Sequence, residues 1–294
     1  MLDKPRDLTS QQAVTRVKRM LGASKAGHGG TLDPAATGVL PIYLNQATRL
    51  AEYALDGDKE YLAEAVFGVA TTTQDESGDV VAVGNPSRLT ADLVQRALMQ
   101  TVGSFAQLPP QYSALKVRGK PAYAYARQGE TVELQPRAVT VHDIRVEEIM
   151  WAAPDFRVRF YIRCSKGTYI RTVCHDLGER LGVPAHMATL RRTKTGAFSI
   201  GQAHTLESVE RLGWEAVIPP EAGVDHLRAW RLDAHQTALL RHGQTLVFCA
   251  SATTFYADET IRVHDDGGEL IAICAVELAD KECVRLRPTK VFSG

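Results

Sequence analysis

The sequence predicts an α+β protein: a large domain in which strands and helices mix, followed by a small β-rich domain. Three observations predict it. Apolar and polar residues alternate strictly from Phe156 to Cys164, as on a half-buried strand. Segments of helical period interleave with strand-like ones without a regular βαβ repeat. Near residue 225 the chain changes to short strand-like runs around tight turns. The chain has 294 residues, of which 45% are hydrophobic and 23% charged, ordinary globular proportions that exclude collagen-like or wholly disordered readings. At roughly 150 residues per domain, the expected division is 1–225 and 226–294.

The elements follow in order. Thr9 to Leu21 reads as a helix, with Thr9 and Gln12 as a capping box, Val14, Val17 and Leu21 on one face, and Gly22 to stop it. Gly27 to Pro34 reads as a loop because it holds three glycines in four positions. In Glu60 to Val69, Tyr61, Ala63, Ala65, Phe67 and Val69 take one face of a strand. Thr90 to Val102 reads as an amphipathic helix closed by Gly103. In the strand from Phe156, the apolar face is Phe156, Val158, Phe160, Ile162 and Cys164, opposite Arg157, Arg159, Tyr161 and Arg163. Tyr169 to Leu181 is then a helix with Ile170, Val173, Leu177 and Leu181 inward, so that Tyr169 and Arg171 project away from that face. In the last domain, an Asp265-Asp266-Gly267-Gly268 turn joins two strands, and Cys283 to Phe292 closes the fold.

Lys plus Arg equals Asp plus Glu at 34 each, yet the charge is segregated. Residues 157–194 carry nine basic and two acidic side chains, whereas 52–79 carry eight acidic ones against Lys59. A neutral chain patterned this way can present a basic face to an anion, although solvated surface charge has the same look. No apolar run approaches the ~18 residues of a membrane span, and the start shows no signal-peptide core, so a cytoplasmic protein is expected. Five cysteines at no metal spacing suggest a reducing compartment and no structural zinc.

Chemistry points first to the glycine loop. It lacks both common phosphate-cradle patterns, and the zinc-deaminase signature is missing too. What remains is a carboxylate, Asp33, on a stiff turn set by Pro34; an Asp before a Pro is ordinarily just a turn residue. Between Tyr112 and Arg127, aromatic and basic residues interleave in a pattern suited to stacking on bases and pairing with phosphates. Lys166 to Arg171 supplies an arginine that, beside an aspartate, would form a bidentate pair favouring the charged carboxylate.

In these residues the chain resembles the TruB-type tRNA pseudouridine synthases. The resemblance runs through Asp3-Lys4-Pro5, Gly27-His28, Gly30 to Pro34, Ala36-Thr37-Gly38 and Asp58 to Tyr61. It continues through Tyr112 to Lys116, Tyr125 to Gly129, Cys164 to Arg171 and Leu190-Arg191-Arg192, in order over residues ~2 to ~200. Gly29 and Ala35 stand where Thr and Leu are common, without removing a reactive group. The C-terminal segment is similar in size and position to a PUA-type RNA-binding module.

The resemblance implies a pseudouridine-synthase fold, with a central mixed, largely antiparallel sheet and a small C-terminal β-barrel, and isomerisation of the T-loop uridine at tRNA position 55. The C1′–N1 bond breaks, the uracil turns, and a C1′–C5 bond forms, with no cofactor or metal implied. Asp33 would be the nucleophile, at C6 of the base or C1′ of the sugar. Tyr61 would stack on the base and assist proton removal from the rearranged intermediate, and Arg171 would orient Asp33. His28 would fill the space of the flipped uridine, while Tyr169 and Leu190 would wall the uracil pocket. Lys4, the 157–163 arginines, Arg191 and Arg192 would meet phosphates, as would Lys116 and Arg127. The expected partner is the tRNA T-stem-loop, with no membrane or protein partner, and the chain is expected to be a monomer. A non-catalytic tRNA-binding protein would share the basic strips but needs no nucleophile. A glycosidase is disfavoured because the loop supplies one acid only.

Overall fold

Local chemistry dictates the first helix, α1 (Ser10–Met20). The Gln12 N–H donates to Thr9 Oγ1 at 3.1 Å and the Thr9 N–H to Gln12 Oε1 at 2.9 Å, the reciprocal cap expected from the sequence. Ala13, Val14, Val17 and Leu21 are buried, and Gly22 leaves the helix at φ +60°. The computed structural model describes residues 1–54, 57–152, 155–249, 256, 258–278 and 283–292.

The central sheet is built from β1 (Leu2–Lys4), β2 (Thr37–Leu40), β3 (Lys59–Phe67), β4 (Gly103–Gln107), β5 (Arg137–Ala152), β6 (Asp155–Cys164) and β7 (Ala185–Thr195). Their spatial order is β1-β2-β7-β3-β6-β5-β4, with Phe198–Ser199 as an eighth strand against β7. All pairs are antiparallel except β2 with β7, so the sheet is mixed and largely antiparallel, as expected. Gly38 permits that parallel contact. Its φ is +103°, and a Cβ placed there would lie 2.1 Å from the Arg192 carbonyl oxygen.

The two faces of the sheet differ in character. Ile162 sits opposite Tyr61, and directly opposed residues point to one side. Phe160, Ile162 and Cys164 therefore share the Tyr61 face, which α2 (Ala91–Met99) and α3 (Ile170–Leu181) help to cover. Arg157, Arg159 and Arg163 line the far face and are already paired: Arg157 with Glu64 at 2.9 Å and Asp155 at 3.0 Å, Arg159 with Glu148 at 3.0 Å, and Arg163 with Asp58 at 3.9 Å. The strand alternates as its sequence predicts, but the arginine face turns away from Tyr61.

Two local expectations are corrected. Ala26–His28 forms a short strand paired with Ile42–Leu44, so the loop proper starts at Gly29. The run from Glu60 to Val69 breaks at Gly68, φ +112°, after which Val69–Thr71 opens a hairpin with Val80–Val83.

The chain folds as two compact units. The first comprises Met1–Gly22, His28–Ile42 and the described residues from Gly57 to Ala216; the second takes Ala23–Gly27, Tyr43–Ala54 and the described residues from Val217 on. The expected boundary near 225 thus falls inside the second unit. There, β8 (Arg228–Arg231), β9 (Leu246–Cys249), β10 (Thr260–His264), β11 (Leu270–Leu278) and β12 (Cys283–Val291) form a half-barrel sheet in the order β8-β10-β11-β12-β9. Leu232, Leu240, Ile261, Val263, Ile271 and Leu286 make its core. Cys249 and Cys283, in register on β9 and β12, form a disulfide, a pairing not anticipated by the reading of a reducing compartment. Cys164, Cys174 and Cys274 are free and buried. Among the described residues no helix is long and apolar enough to cross a membrane.

Candidate active site

The glycine loop is held by its carbonyls. Arg192 donates to Gly30 O at 3.1 Å and Thr31 O at 3.4 Å, Ser10 Oγ to Leu32 O at 2.9 Å, and Lys4 Nζ to Pro34 O at 3.1 Å. The Asp33 carbonyl accepts from the Ala36 N–H at 3.1 Å. Every carbonyl from Gly30 to Pro34 therefore has a partner, and a loop that is irregular by sequence becomes rigid by tertiary bonding.

This arrangement corrects the roles expected of two cations. Lys4 is 0% exposed and Arg192 1%, so neither reaches a phosphate. Lys4 also donates to Pro5 O and Leu8 O, each at 2.8 Å, and burial pushes its pKa down to about 8 against the opposing charges of Asp33 and Asp7. Arg192 Nε donates to Val39 O at 2.8 Å. Both are fasteners of the loop. Arg191 lies on the far sheet face, bonded to Asp3 at 3.1 and 2.7 Å, and is not brought to the loop.

Above the loop, Arg171 reaches Asp33 with its Nε at 2.9 Å from Oδ2 and a terminal nitrogen 3.4 Å from Oδ1. The sequence reading turned Arg171 away from the buried face of α3; it is in fact 4% exposed, because residues 170–174 are buried all round the first turn. Its remaining donors bond Thr73 O and Tyr112 O, both at 2.8 Å. Asp33 keeps about a third of its side chain open, so one edge of the carboxylate stays available.

Behind Arg171 stands a residue the sequence reading missed. Asp75 is 7% exposed, with Oδ2 3.7 Å from Arg171 Nε. Its Oδ1 accepts from Thr73 Oγ1 at 2.7 Å, Ser77 Oγ at 2.6 Å and Ser77 N at 3.0 Å. In sequence it reads as a turn aspartate between Thr73 and Ser77, and that local signal says nothing of an arginine 96 residues on.

These groups open onto a pocket of about 540 Å³ walled by Asp33, Tyr61, Ser113, Tyr169, Ile170 and Leu190. Burial pushes the Tyr61 phenol up to about 12, a shift that Arg192 opposes through its charge and a hydrogen bond, so the ring stays neutral at physiological pH. Burial also raises the Tyr169 phenol. Gln107 clamps the Tyr169 backbone, accepting from its N–H at 2.8 Å and donating to its carbonyl at 3.1 Å. His28 is not part of the wall. It sits half-buried on its short strand, its Nδ1 without a hydrogen-bond partner among the described residues, and burial, then Arg192, lowers its pKa. Lys116 and Arg127 are exposed on the neighbouring segment, Arg127 over the Tyr123 ring at 5.3 Å. Lys59 and Arg137, which the sequence reading also missed, line the pocket with Lys166. Among the described residues no cluster of three His, Cys, Asp or Glu side chains could hold a metal ion.

A carboxylate, a buried arginine and a buried tyrosine around one pocket agree with a family description that matches this chain. The model for the TruB family pseudouridylate synthase N-terminal domain matches residues 18–170. The chain belongs to the TruB family of pseudouridylate synthases. Membership makes it an isomerase. The model for the tRNA pseudouridylate synthase B C-terminal domain matches residues 171–230. The chain is similar to tRNA pseudouridine synthase B of Stutzerimonas stutzeri, 42% identical over 281 residues that cover 93% of this chain and 89% of the relative. It is also similar to tRNA pseudouridine synthase B of Neisseria meningitidis serogroup B, 36% identical, with 100% and 93% covered. Among solved structures, it resembles a chain of a Cbf5-Nop10-Gar1 complex at 29% identity and TM-score 0.75, covering 99% of this chain and 84% of the other.

Proposed function

We propose that this protein converts the T-loop uridine at position 55 of tRNA to pseudouridine, with Asp33 as the nucleophile. The observation that carries the reading is the Arg171–Asp33 pair at 2.9 Å, at the edge of a pocket large enough for one nucleoside and walled by Tyr61, Tyr169 and Leu190. A uridine inside a structured loop must flip out to reach such a pocket, at a cost of a few kcal/mol. Ionised Asp33 attacks the bound nucleotide and is released again as the C1′–N1 bond is exchanged for a C1′–C5 bond; C5 loses its proton and N1 takes one up, so the product is an isomer of the substrate. Arg171 orients the carboxylate, and Asp75 in turn holds Arg171. Neutral Tyr61 stacks on the base. Lys116 and Arg127 meet phosphates, and the C-terminal unit binds tRNA away from the T-loop.

The test is incubation of the purified single chain with unmodified tRNA, followed by mapping of pseudouridine. Wild type should place one pseudouridine, at position 55. Asp33→Asn, which keeps the shape and loses the nucleophile, should bind tRNA and fold as wild type but turn over roughly a thousandfold slower or less. Turnover by the variant within a few-fold of wild type would remove Asp33 from the mechanism.

A further inference from the structure

Three arginines line the pocket: Arg137, Arg171 and Arg192. Arg171 is committed to Asp33, Asp75 and two carbonyls, and Arg192 to three carbonyls. Arg137 differs: it is exposed, and among the described residues its guanidinium has neither a carboxylate nor a carbonyl partner. Its place is nonetheless defined. Arg137 pairs with Gln107 across β5 and β4, so the two side chains share a face. Gln107 is the residue that clamps the Tyr169 backbone. Arg137 is thus tied through one ladder pair to the pocket wall, near enough for its charge to act on the Tyr169 phenol.

A nucleotide that enters a pocket base-first leaves its sugar and both flanking phosphates at the mouth. A free guanidinium there offers the planar fork that fits a phosphate. We propose that Arg137 anchors one of the two phosphates flanking the flipped uridine, holding the nucleotide in register with Tyr169 and Asp33. This inference rests on the uridine reading of the pocket.

The experiment uses the full-length protein and T-arm RNA hairpins, one all-phosphate and two carrying a single uncharged methylphosphonate on either side of the target uridine. On all-phosphate RNA, Arg137→Ala should raise the RNA concentration for half-maximal single-turnover rate by about tenfold and leave the saturating rate near wild type. Arg137→Lys should recover only part of the loss, since an ammonium cannot fork. On one of the two neutral-linkage hairpins, wild type should lose the same factor and Arg137→Ala nothing more. Wild-type affinity in Arg137→Ala, or a penalty equally large on both neutral-linkage hairpins, would overturn the proposal. Failure of wild type to convert the all-phosphate hairpin would instead overturn the uridine reading itself.

Discussion

At the scale of single residues, the site depends on charges whose partners are carbonyls as well as carboxylates. Asp75 shows the consequence for catalysis. Asp75→Asn keeps an oxygen for Thr73 and Ser77 but removes the negative charge 3.7 Å from Arg171. Misplacing a positioning group by about 1 Å can cost ~100-fold. We expect kcat to fall by about 10- to 100-fold with KM unchanged, measured by steady-state pseudouridine release; an unchanged kcat would reduce Asp75 to a turn residue. Lys4 shows the consequence for stability. Its pKa is lowered from 10.5 to about 8, so between those values the unfolded chain binds more protons than the folded one. Stability contributed by this group must therefore rise with pH through about 8 to 10.5. Lys4→Met should lack that increment, so the difference in unfolding free energy between wild type and variant should drift toward wild type as pH rises. A flat difference across the window would show that the amine is not desolvated.

At the scale of elements, the parallel contact between β2 and β7 connects the glycine loop to the sheet. Gly38 is where the two backbones meet, and the loop carbonyls end on Arg192 one strand away. Gly38→Ala meets two obstacles, a positive φ and the Arg192 carbonyl. Gly119 has a positive φ of 84° but nothing within 4 Å of its missing Cβ. Gly119→Ala should cost about 1 kcal/mol, and Gly38→Ala clearly more, because the strands must separate. Denaturant midpoints of the two variants test this. Equal midpoints would mean that the loop does not depend on the contact.

At the scale of the whole molecule, the second unit is not a tail that can be cut away. Tyr43 and Leu50, from the N-terminal third of the chain, pack with Val224, Leu270, Ile273 and Phe292 in one buried cluster. Deleting residues 228–294 would uncover Leu50, which is 0% exposed in the full chain. The binding role proposed for this unit is better tested by Arg231→Glu. Arg231 is exposed beside Trp230, Arg262 and His264, where reversal of its charge should repel a phosphate. Filter binding should show weaker tRNA affinity, with the saturating single-turnover rate unchanged. Undiminished affinity would argue against RNA contact at this groove.

Sequence alone determined the elements whose signals are local. The cap of α1, the alternation of β6 and the Asp265–Gly268 turn are decided by neighbours a few residues apart, and all are found where expected. The positions of Asp33, Tyr61 and Arg171 were legible through motif resemblance, and the fold brings all three to one pocket. Only the tertiary structure decided which cations are free. Composition counts Lys4, Arg192 and the arginines of β6 alike, yet Lys4 and Arg192 are buried and the β6 arginines sit in ion pairs on the sheet face away from Tyr61. It likewise set Asp75 behind Arg171, joined Cys249 to Cys283, and left Arg137 open at the pocket. The physical reason is one of range: a helix cap is made within a single turn of chain, whereas the availability of a charge depends on partners that only folding brings near.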